Sequence, residues 1–502
     1  MEVLSRKGCK NIDNYTIKNI GIPSIVLMEN AANGIINIIR SLGNKAIIFC
    51  GTGNNGGDGL AVARKLWLLK KDIEVVLVGN VEKLSEETKI NLNIINSLNI
   101  PVFNIKDIED IEDIQDNIMK KVSQADYVID SIFGIGLNRE VRGIYKNIIN
   151  LINKYSKFVV SIDIPSGMDA DTGEILGCCI RADITCSVEV MKKGFISNKA
   201  VELLGKIEII NIDIPNFVKK ENSEKTYILS NNIYKDMIPL RNKTGHKGNY
   251  GKVLIVAGSE KYCGAAFIST ESCVRTGSGL VTLLTHKDSG KALKCRLTEA
   301  MIQEYLTYKD VNDLAGFDVI ACGPGFSLSE DSKVILDKII GKTSCKLVLD
   351  ADALNIISKN KKLLKNLKGR AIITPHPGEM ARLVGNTISY VESNRIEVAK
   401  KFAKENNIIV LLKGHNTVIT DGERVFINPT GNSKMASGGM GDCLTGIITS
   451  FVGQGLDLLQ GTLLGAYVHG FIGDELSKES YIVNARDIIS ELPKTIEKLC
   501  EK

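Results

Sequence analysis

Apolar residues in this chain fall in short runs, separated by longer stretches in which apolar positions recur every three or four residues. The runs Lys45–Cys50, Glu74–Val78, Tyr127–Asp130 and Phe158–Ile162 read as buried strands. The segments Gly59–Lys70 and Glu82–Ser97 between them read as amphipathic helices. This alternation predicts a parallel sheet wrapped by helices, because parallel neighbours need a crossover long enough to hold a helix. Ile184–Val188 and Ile207–Ile210 extend the series. Between Phe217 and Asn232 the pattern lapses into Lys, Glu and Asn, and this stretch reads as a linker. Alternation restarts with Lys252–Ala257, Leu280–Thr285, Asp318–Cys322, Lys346–Asp350, Ala371–Thr374 and Ile408–Lys413. A hairpin follows over Thr417–Ile427 with its turn at Asp421-Gly422, and two apolar helices, Asp442–Val452 and Leu459–Leu476, close the chain. The halves do not look like copies, so the pattern predicts two different α/β domains.

Composition narrows the class. At 502 residues the chain exceeds one ordinary domain, and 44% apolar with 24% charged residues is the balance of a globular protein with large cores. The net charge of +5 is spread through Lys-rich segments such as Lys359–Lys368, read as solvated helical faces. With a single Trp and no basic stripe, nucleic acid is not an expected partner. Twelve cysteines without zinc-type spacing read as free thiols of a reducing compartment. Met1–Asp13 lacks an apolar signal core, and no run approaches the roughly 20 apolar residues of a membrane span. A cytoplasmic protein with small-molecule substrates, no membrane association and a homo-oligomeric state is expected.

Three polar, glycine-bearing loops follow strand ends in the first half. Gly51-Thr-Gly53-Asn54-Asn55-Gly56-Gly57-Asp58-Gly59 satisfies G-x-G-x-x-G, whose glycines let backbone N–H groups approach a phosphate at a helix start. An ordinary dinucleotide fold also wants an acid ending the next strand, but Val78 is followed by Gly79 and Asn80. The amides and carboxylate among the glycines can instead grip a sugar hydroxyl or a hard cation. Asp130-Ser-Ile-Phe-Gly134-Ile-Gly136 and Asp163-Ile-Pro-Ser166-Gly167 follow two further strands, and ligands bind outside such ends. One loop alone reads as a tight turn; three together point to a pocket.

Asn54–Gly59, Asp130–Gly136, Asp163–Met168 and Met191-Lys192-Lys193-Gly194 resemble the NAD(P)H-hydrate epimerase family over about Met1 to Phe217. The resemblance implies substrate contacts at Asn54, Asn55, Gly56, Gly57 and Asp58. It implies a second substrate loop at Gly134, Ile135, Gly136, Leu137, Asn138, Arg139 and Glu140, and a potassium ion on Asn55, Asp130 and Ser166. Asp163 matches a substrate-contacting acid and Lys192 a lysine near the substrate. Both are candidates for the proton transfers that let a hydroxyl leave and return at the hydrated carbon. The plainer alternative is a structural ion pair. Ile135 stands where the family usually has Thr, and Lys193 where it often has Pro.

In the second half the strongest motif is Gly438-Gly439-Met440-Gly441-Asp442, opening an apolar helix. A Gly-rich helix start is an anion hole, and an acid within it can act as a base toward a hydroxyl. A simple helix cap would not need three glycines. Gly323-Pro-Gly325, Asp350-Ala-Asp352, Thr374-Pro-His376-Pro-Gly378-Glu379 and Lys413-Gly-His415-Asn416-Thr417 follow predicted strands in the same way. His376, held between two prolines, reads as a ligand contact in preference to a cap for a helix starting at Gly378. The lysine–glycine run suits phosphate.

These motifs resemble the ADP-dependent NAD(P)H-hydrate dehydratase family, with its ribokinase-like fold, over about Tyr227 to Lys502. The resemblance implies hydrate contacts at Ala265, Gly325, His376 and Asp442, with Asp442 as base. It also implies nucleotide contacts at Lys413, Gly414, His415, Asn416, Thr417 and Gly441. The expected architecture is therefore a Rossmann-like parallel sheet over 1–220, carrying the epimerase, followed by a ribokinase-like domain over 226–502, carrying the dehydratase. Potassium and ADP are the implied small partners, and Mg2+ is an open option. The resemblance implies interconversion of R and S hydrates of NADH and NADPH, with dehydration of the S form as ADP becomes AMP and phosphate. The rival reading is a ribokinase-type small-molecule kinase carrying a non-catalytic N-terminal binding module.

Overall fold

The computed structural model describes residues 1–106, 108–229, 234 and 237–501. The chain divides into two compact units, Met1–Thr226 and Tyr227–Lys502. The stretch read as a linker holds a short helix, Asn216–Glu221, and a strand, Thr226–Ile228; its residues 230–232 lie outside the described residues.

The first unit is built on seven parallel strands in the spatial order Val102–Ile105, Asp72–Val78, Lys45–Cys50, Tyr127–Ser131, Val159–Ile162, Ile184–Val188, Lys206–Ile210. Strand order reverses between Lys45–Cys50 and Tyr127–Ser131, whose register sets Phe49 opposite Asp130 and Cys50 opposite Ser131. That reversal opens the crevice in which such sheets bind ligands. Side chains alternate across the sheet: Ile48, Cys50, Val75 and Ile129 join one core, and Ile47, Phe49, Val76 and Val128 join another. Both faces are buried, which is why these strands read as continuous apolar runs.

The second unit carries a ten-stranded sheet. Seven strands are parallel, in the order Ile409–Leu412, Ala371–Ile373, Lys346–Leu349, Val319–Cys322, Lys252–Val256, Leu280–His286, Met301–Tyr305. The hairpin Thr417–Thr420 and Val425–Asn428 adds antiparallel strands beyond Ile409–Leu412, and Thr226–Ile228 lies at that edge. Here the order reverses between Lys252–Val256 and Val319–Cys322. Helices Cys263–Thr276, Met440–Gly453 and Leu458–Ser477 supply one core, where Tyr234 stacks on Tyr467 with ring centroids 3.7 Å apart.

Three sequence expectations need correction. The helix read as Gly59–Lys70 begins at Asn54, so most of the glycine run is helical. A third helix, Ala485–Glu501, follows the two that were to close the chain, despite Pro493 inside it. The Lys359–Lys368 segment is chiefly a tight helical turn over Lys361–Leu367 that buries Leu363, Leu364 and Leu367. All twelve cysteines are free. Among the described residues no helix is long and apolar enough to cross a membrane.

Candidate active sites

At the strand reversal of the first unit lies a cavity of about 600 Å³. Its walls include Asn54, Asn55 and Asp58 from the first turns of the helix Asn54–Leu68, Gly134 to Arg139 from a loop, and Asp163 and Lys192. The two segments touch directly: Ser131 Oγ donates to the Asn55 carbonyl, and a Cβ on Gly134 would lie 3.2 Å from that of Asn55. Asn55 is buried, and neither its Oδ1 nor its Nδ2 has a hydrogen-bond partner. An amide hidden without partners costs free energy unless a ligand satisfies it.

Asp130 lies behind this wall, fully buried. Its carboxylate accepts from Ser166 Oγ at 2.5 Å, Ser166 N at 2.8 Å, Ser161 Oγ at 2.8 Å and Ile132 N at 3.3 Å. Burial pushes this carboxyl up from its ordinary range, and those donors pull it back. No cation is paired with it among the described residues. Asp163 and Lys192 form an ion pair, and Lys192 Nζ also donates to Ser187 Oγ at 3.0 Å, Val188 O at 2.9 Å and Val190 O at 3.2 Å. Asp163 is held at φ +66°, a left-handed conformation that non-glycine residues keep only under constraint.

Some predicted contacts do not reach the cavity. Gly56 sits inside the helix, where a Cβ would collide with the Gly51 carbonyl. A Cβ on Gly57 would press on Met28 and Thr88 of two neighbouring helices, so Gly56 serves close packing of helix against strand end and Gly57 of helix against helix. Glu140 is exposed and pairs with Arg142 at 2.5 Å. Asp130 and Ser166 stand behind the wall. Ile135 lines the cavity and also packs on two apolar clusters. Cys9, Lys10, Asp13 and Glu189 also line it and were not read from the sequence as site residues.

In the second unit the loops are stitched together at the strand ends. Lys413 Nζ donates to Asp350 Oδ1 at 2.7 Å and lies 3.9 Å from Glu379 Oε2. Thr445 Oγ1, from the helix Met440–Gly453, donates to Asp350 Oδ2 at 2.8 Å. Burial pulls the Lys413 ammonium down, but Asp350 and Glu379 outweigh it and hold the group above its ordinary range. Gly323 closes on Asp350, and Gly325, at φ +59°, packs on Tyr262 and Ala265. Ala265, Gly325, Asp350 and Lys413 are thereby tied into one chain of contacts.

The helix start completes this site. Gly439, at φ +91°, turns the chain into the helix, a conformation that costs about 1–2 kcal/mol for a residue with a Cβ. The first hydrogen bond inside runs from Cys443 N to Gly439 O, which leaves the N–H groups of Met440, Gly441 and Asp442 for an anion. A Cβ on Gly441 would lie 3.3 Å from Lys413 Nζ, so backbone donors and ammonium face one spot. Asp442 makes no side-chain hydrogen bond or ion pair among the described residues. Burial first, then the charge of Asp350, push it up to about 7, against the pull of Lys413. That is the range a general base needs.

His376 corrects the sequence reading. Its Nδ1 accepts from Gly378 N at 3.0 Å, and Glu379 answers with Oε2 on His376 N at 2.8 Å, so it does cap the helix Pro377–Val384. Nε2 stays on the half-exposed side, 3.5 Å from Glu379 Oε1. Capping fixes the ring, leaving Nε2 for a ligand. Arg395 was missed. It is 5% exposed and donates to the carbonyls of Leu412 and Lys413 at 3.2 and 3.3 Å, underpinning the loop of exposed Gly414 and His415, left-handed Asn416 and Thr417.

These features define a two-unit α/β enzyme, with an acid-bearing cavity in the first unit and an acid-bearing helix start beside a lysine in the second. A model of the NAD(P)H-hydrate dehydratase family matches residues 253–494, and one of the YjeF-related protein N-terminus matches residues 24–194. Across 98% of its length the chain is 35% identical to a bifunctional NAD(P)H-hydrate repair enzyme, Nnr, of Moorella thermoacetica, covering 96% of that protein. It is 30% identical to the enzyme of the same name from Escherichia coli K12, over 91% of this chain and 86% of that one. A ribokinase-like superfamily protein from Enterococcus faecalis V583 covers 55% of this chain and 98% of its own, with 29% identity and a TM-score of 0.52. The chain belongs to the family of bifunctional NAD(P)H-hydrate repair enzymes.

Proposed function

We propose that this chain repairs hydrated NADH and NADPH: residues 1–220 interconvert the R and S hydrates, and residues 226–502 dehydrate the S form while ADP becomes AMP and phosphate. The observation that carries this reading is Asp442, unpaired and raised to about 7, set over the Met440–Asp442 N–H cradle and Lys413. Asp442 takes the proton of the substrate hydroxyl as its oxygen bonds to the terminal phosphorus of the nucleotide and AMP leaves. Lys413 and the helix start hold the transferred charge. The phosphate then departs with the C–O electron pair, the ring nitrogen's lone pair drives it out, and loss of a neighbouring C–H proton restores the dihydropyridine. Ala265, Gly325 and His376 Nε2 are proposed to orient the hydrate, and Lys413–Thr417 with Gly441 the nucleotide. A small-molecule kinase explains neither the acid-lined cavity of the first unit nor relatives that match across nearly the whole chain.

In the first unit Asp163 contacts the hydrate and exchanges protons, and Lys192 orients it. The unsatisfied Asn55 amide and the buried, cation-free charge of Asp130 support a potassium ion held by Asn55, Asp130 and Ser166, which would offset that charge and order the loop. A Mg2+ accompanying the nucleotide phosphates, self-association, and residence in a reducing cytoplasm suited to twelve free thiols complete the proposal.

The test supplies both epimers with ADP and, separately, ATP, and follows recovery of reduced-cofactor absorbance. Complete recovery is expected. Arrest near half means an inactive first unit, and no recovery with either nucleotide overturns the reading.

A further inference from the structure

The first cavity holds more acid than its ion pair uses. Lys192 Nζ is enclosed by Asp163, Ser187 Oγ and the carbonyls of Val188 and Val190, so its N–H donors are spent within the protein. Asp163, bound to that ammonium, is placed to receive a proton. Something else must give one, because a hydroxide is a poor leaving group.

Asp13 is placed for that task. It lies on the helix Arg6–Tyr15 and lines the cavity with Cys9 and Ile12 from the same helix. Its carboxyl has no side-chain hydrogen bond or ion pair among the described residues. The helix is anchored next to Lys192: Val3–Leu4 pairs in parallel with Met191–Lys192, setting Leu4 opposite Lys192. Ser5 bonds to Glu224, Arg6 N donates to Asp171 Oδ1 at 2.6 Å, and Arg6 pairs with Asp169 at 2.6 Å. Four tertiary ties thus hold an otherwise polar N-terminal helix against the site, with its one cavity-lining carboxyl unpaired among the described residues.

We propose that Asp13 is a catalytic acid of the first unit, protonating the hydroxyl that leaves the hydrated ring. This rests on the epimerase reading above. The Asp13 proton passes to the ring hydroxyl, the C–O bond breaks with its electron pair on oxygen, and water departs as the ring nitrogen's lone pair forms a C=N bond. Water then adds to the other face, the C=N pair returns to nitrogen, and the proton it sheds goes to Asp163. Nothing is oxidised or reduced. The reverse reaction uses the two acids in exchanged roles, and cavity water resets them.

The surroundings support this assignment. Burial, then the charge of Asp163, push the Asp13 carboxyl up to about 6, with Lys192 pulling it down and Glu189 adding to the rise. Asp58 faces the same cavity and is also raised, by burial and then by Asp163 and Asp13. Cys9, Lys10 and Arg139 are the other titratable groups on the walls.

The test uses the full chain and a single hydrate epimer without nucleotide, following appearance of the other epimer. If the wild type does not interconvert the two, the epimerase reading fails, whatever Asp13 does. Given wild-type turnover, Asp13→Asn is expected to lower kcat about a hundredfold or more with hydrate affinity kept. The wild-type kcat/KM should fall as pH rises through about 6, because the protonated form is the donor. That limb should vanish in Asp13→Asn and move in Asp13→Glu, which should regain part of the rate. Asp13→Asn within about threefold of wild type overturns the proposal, as does a limb that persists there or vanishes in Asp58→Asn instead. Should Asp13→Asn lose its circular dichroism signature, the Asp13→Glu limb decides, and an unmoved limb is the overturning result.

Discussion

Both units place glycine-rich segments near strand ends of a parallel sheet, yet they use glycine for different physical ends. In the first unit Gly56, Gly57 and Gly59 lie inside the helix Asn54–Leu68, against Gly51 O, Met28 and Ser131. They carry no Cβ so that the helix can press on the strand ends and on neighbouring helices, with Asn55 and Asp58 facing the cavity. In the second unit Gly438 and Gly439 precede the helix, and Gly441 opens it. They leave backbone N–H groups bare above Lys413. One motif vocabulary thus builds a side-chain-lined cavity in one case and a backbone anion hole in the other. The acids follow suit. The first unit's Asp163 is tied to a buried lysine, whereas Asp442 stands unpaired at a helix start.

Substitutions can break this contrast, and the largest effect belongs to the unpaired base. Asp442→Asn should cut nucleotide-dependent recovery by about a hundredfold to ten-thousandfold while epimer interconversion continues, read from separate assays of one preparation. In the wild type, kcat/KM for that recovery should rise with pH through about 7, since the carboxylate is the working form. Asp350→Asn comes next. Removing the buried carboxylate that Lys413 and Thr445 both bond should cost the second unit about 1–3 kcal/mol in denaturant melts. It also removes a charge that raises Asp442, so the pH limb should move to lower pH.

Glycine substitutions sharpen the contrast with effects no larger. Gly56→Ala should destabilise the first unit by about 1–3 kcal/mol, because its Cβ meets backbone that cannot yield. Gly441→Ala meets no backbone, only Lys413 Nζ at 3.3 Å and Asp350 Oδ2 at 3.7 Å, so the unfolding midpoint should fall less than for Gly56→Ala while the KM for nucleotide rises. Equal losses of stability at the two positions would erase the distinction.

Most strands were legible because both sheet faces are buried and the runs are apolar throughout. Val102–Ile105 and Met301–Tyr305 were not. They are edge strands with exposed Phe103 and Met301, and one buried side per residue pair leaves no continuous run. The early start at Asn54 was hidden because a glycine run opposes helix on propensity, and only packing against the sheet overrides it. The loops and their acids could be read from motif chemistry. Asp13 and Arg395 could not, because each matters through tertiary placement: one by the pairing of Val3–Leu4 with Met191–Lys192, the other through carbonyls of a loop distant in sequence. His376 shows the opposite case, a side chain that caps a helix through Nδ1 while its Nε2 lies on the half-exposed side.

The most direct measurement gives the full chain pure R hydrate and ADP and counts inorganic phosphate against reduced cofactor regained. The account predicts full recovery with one phosphate released per cofactor, and no recovery from R hydrate once interconversion is disabled by Asp163→Ala. Phosphate that stays on an organic product, or R hydrate left untouched by the wild type, would contradict it.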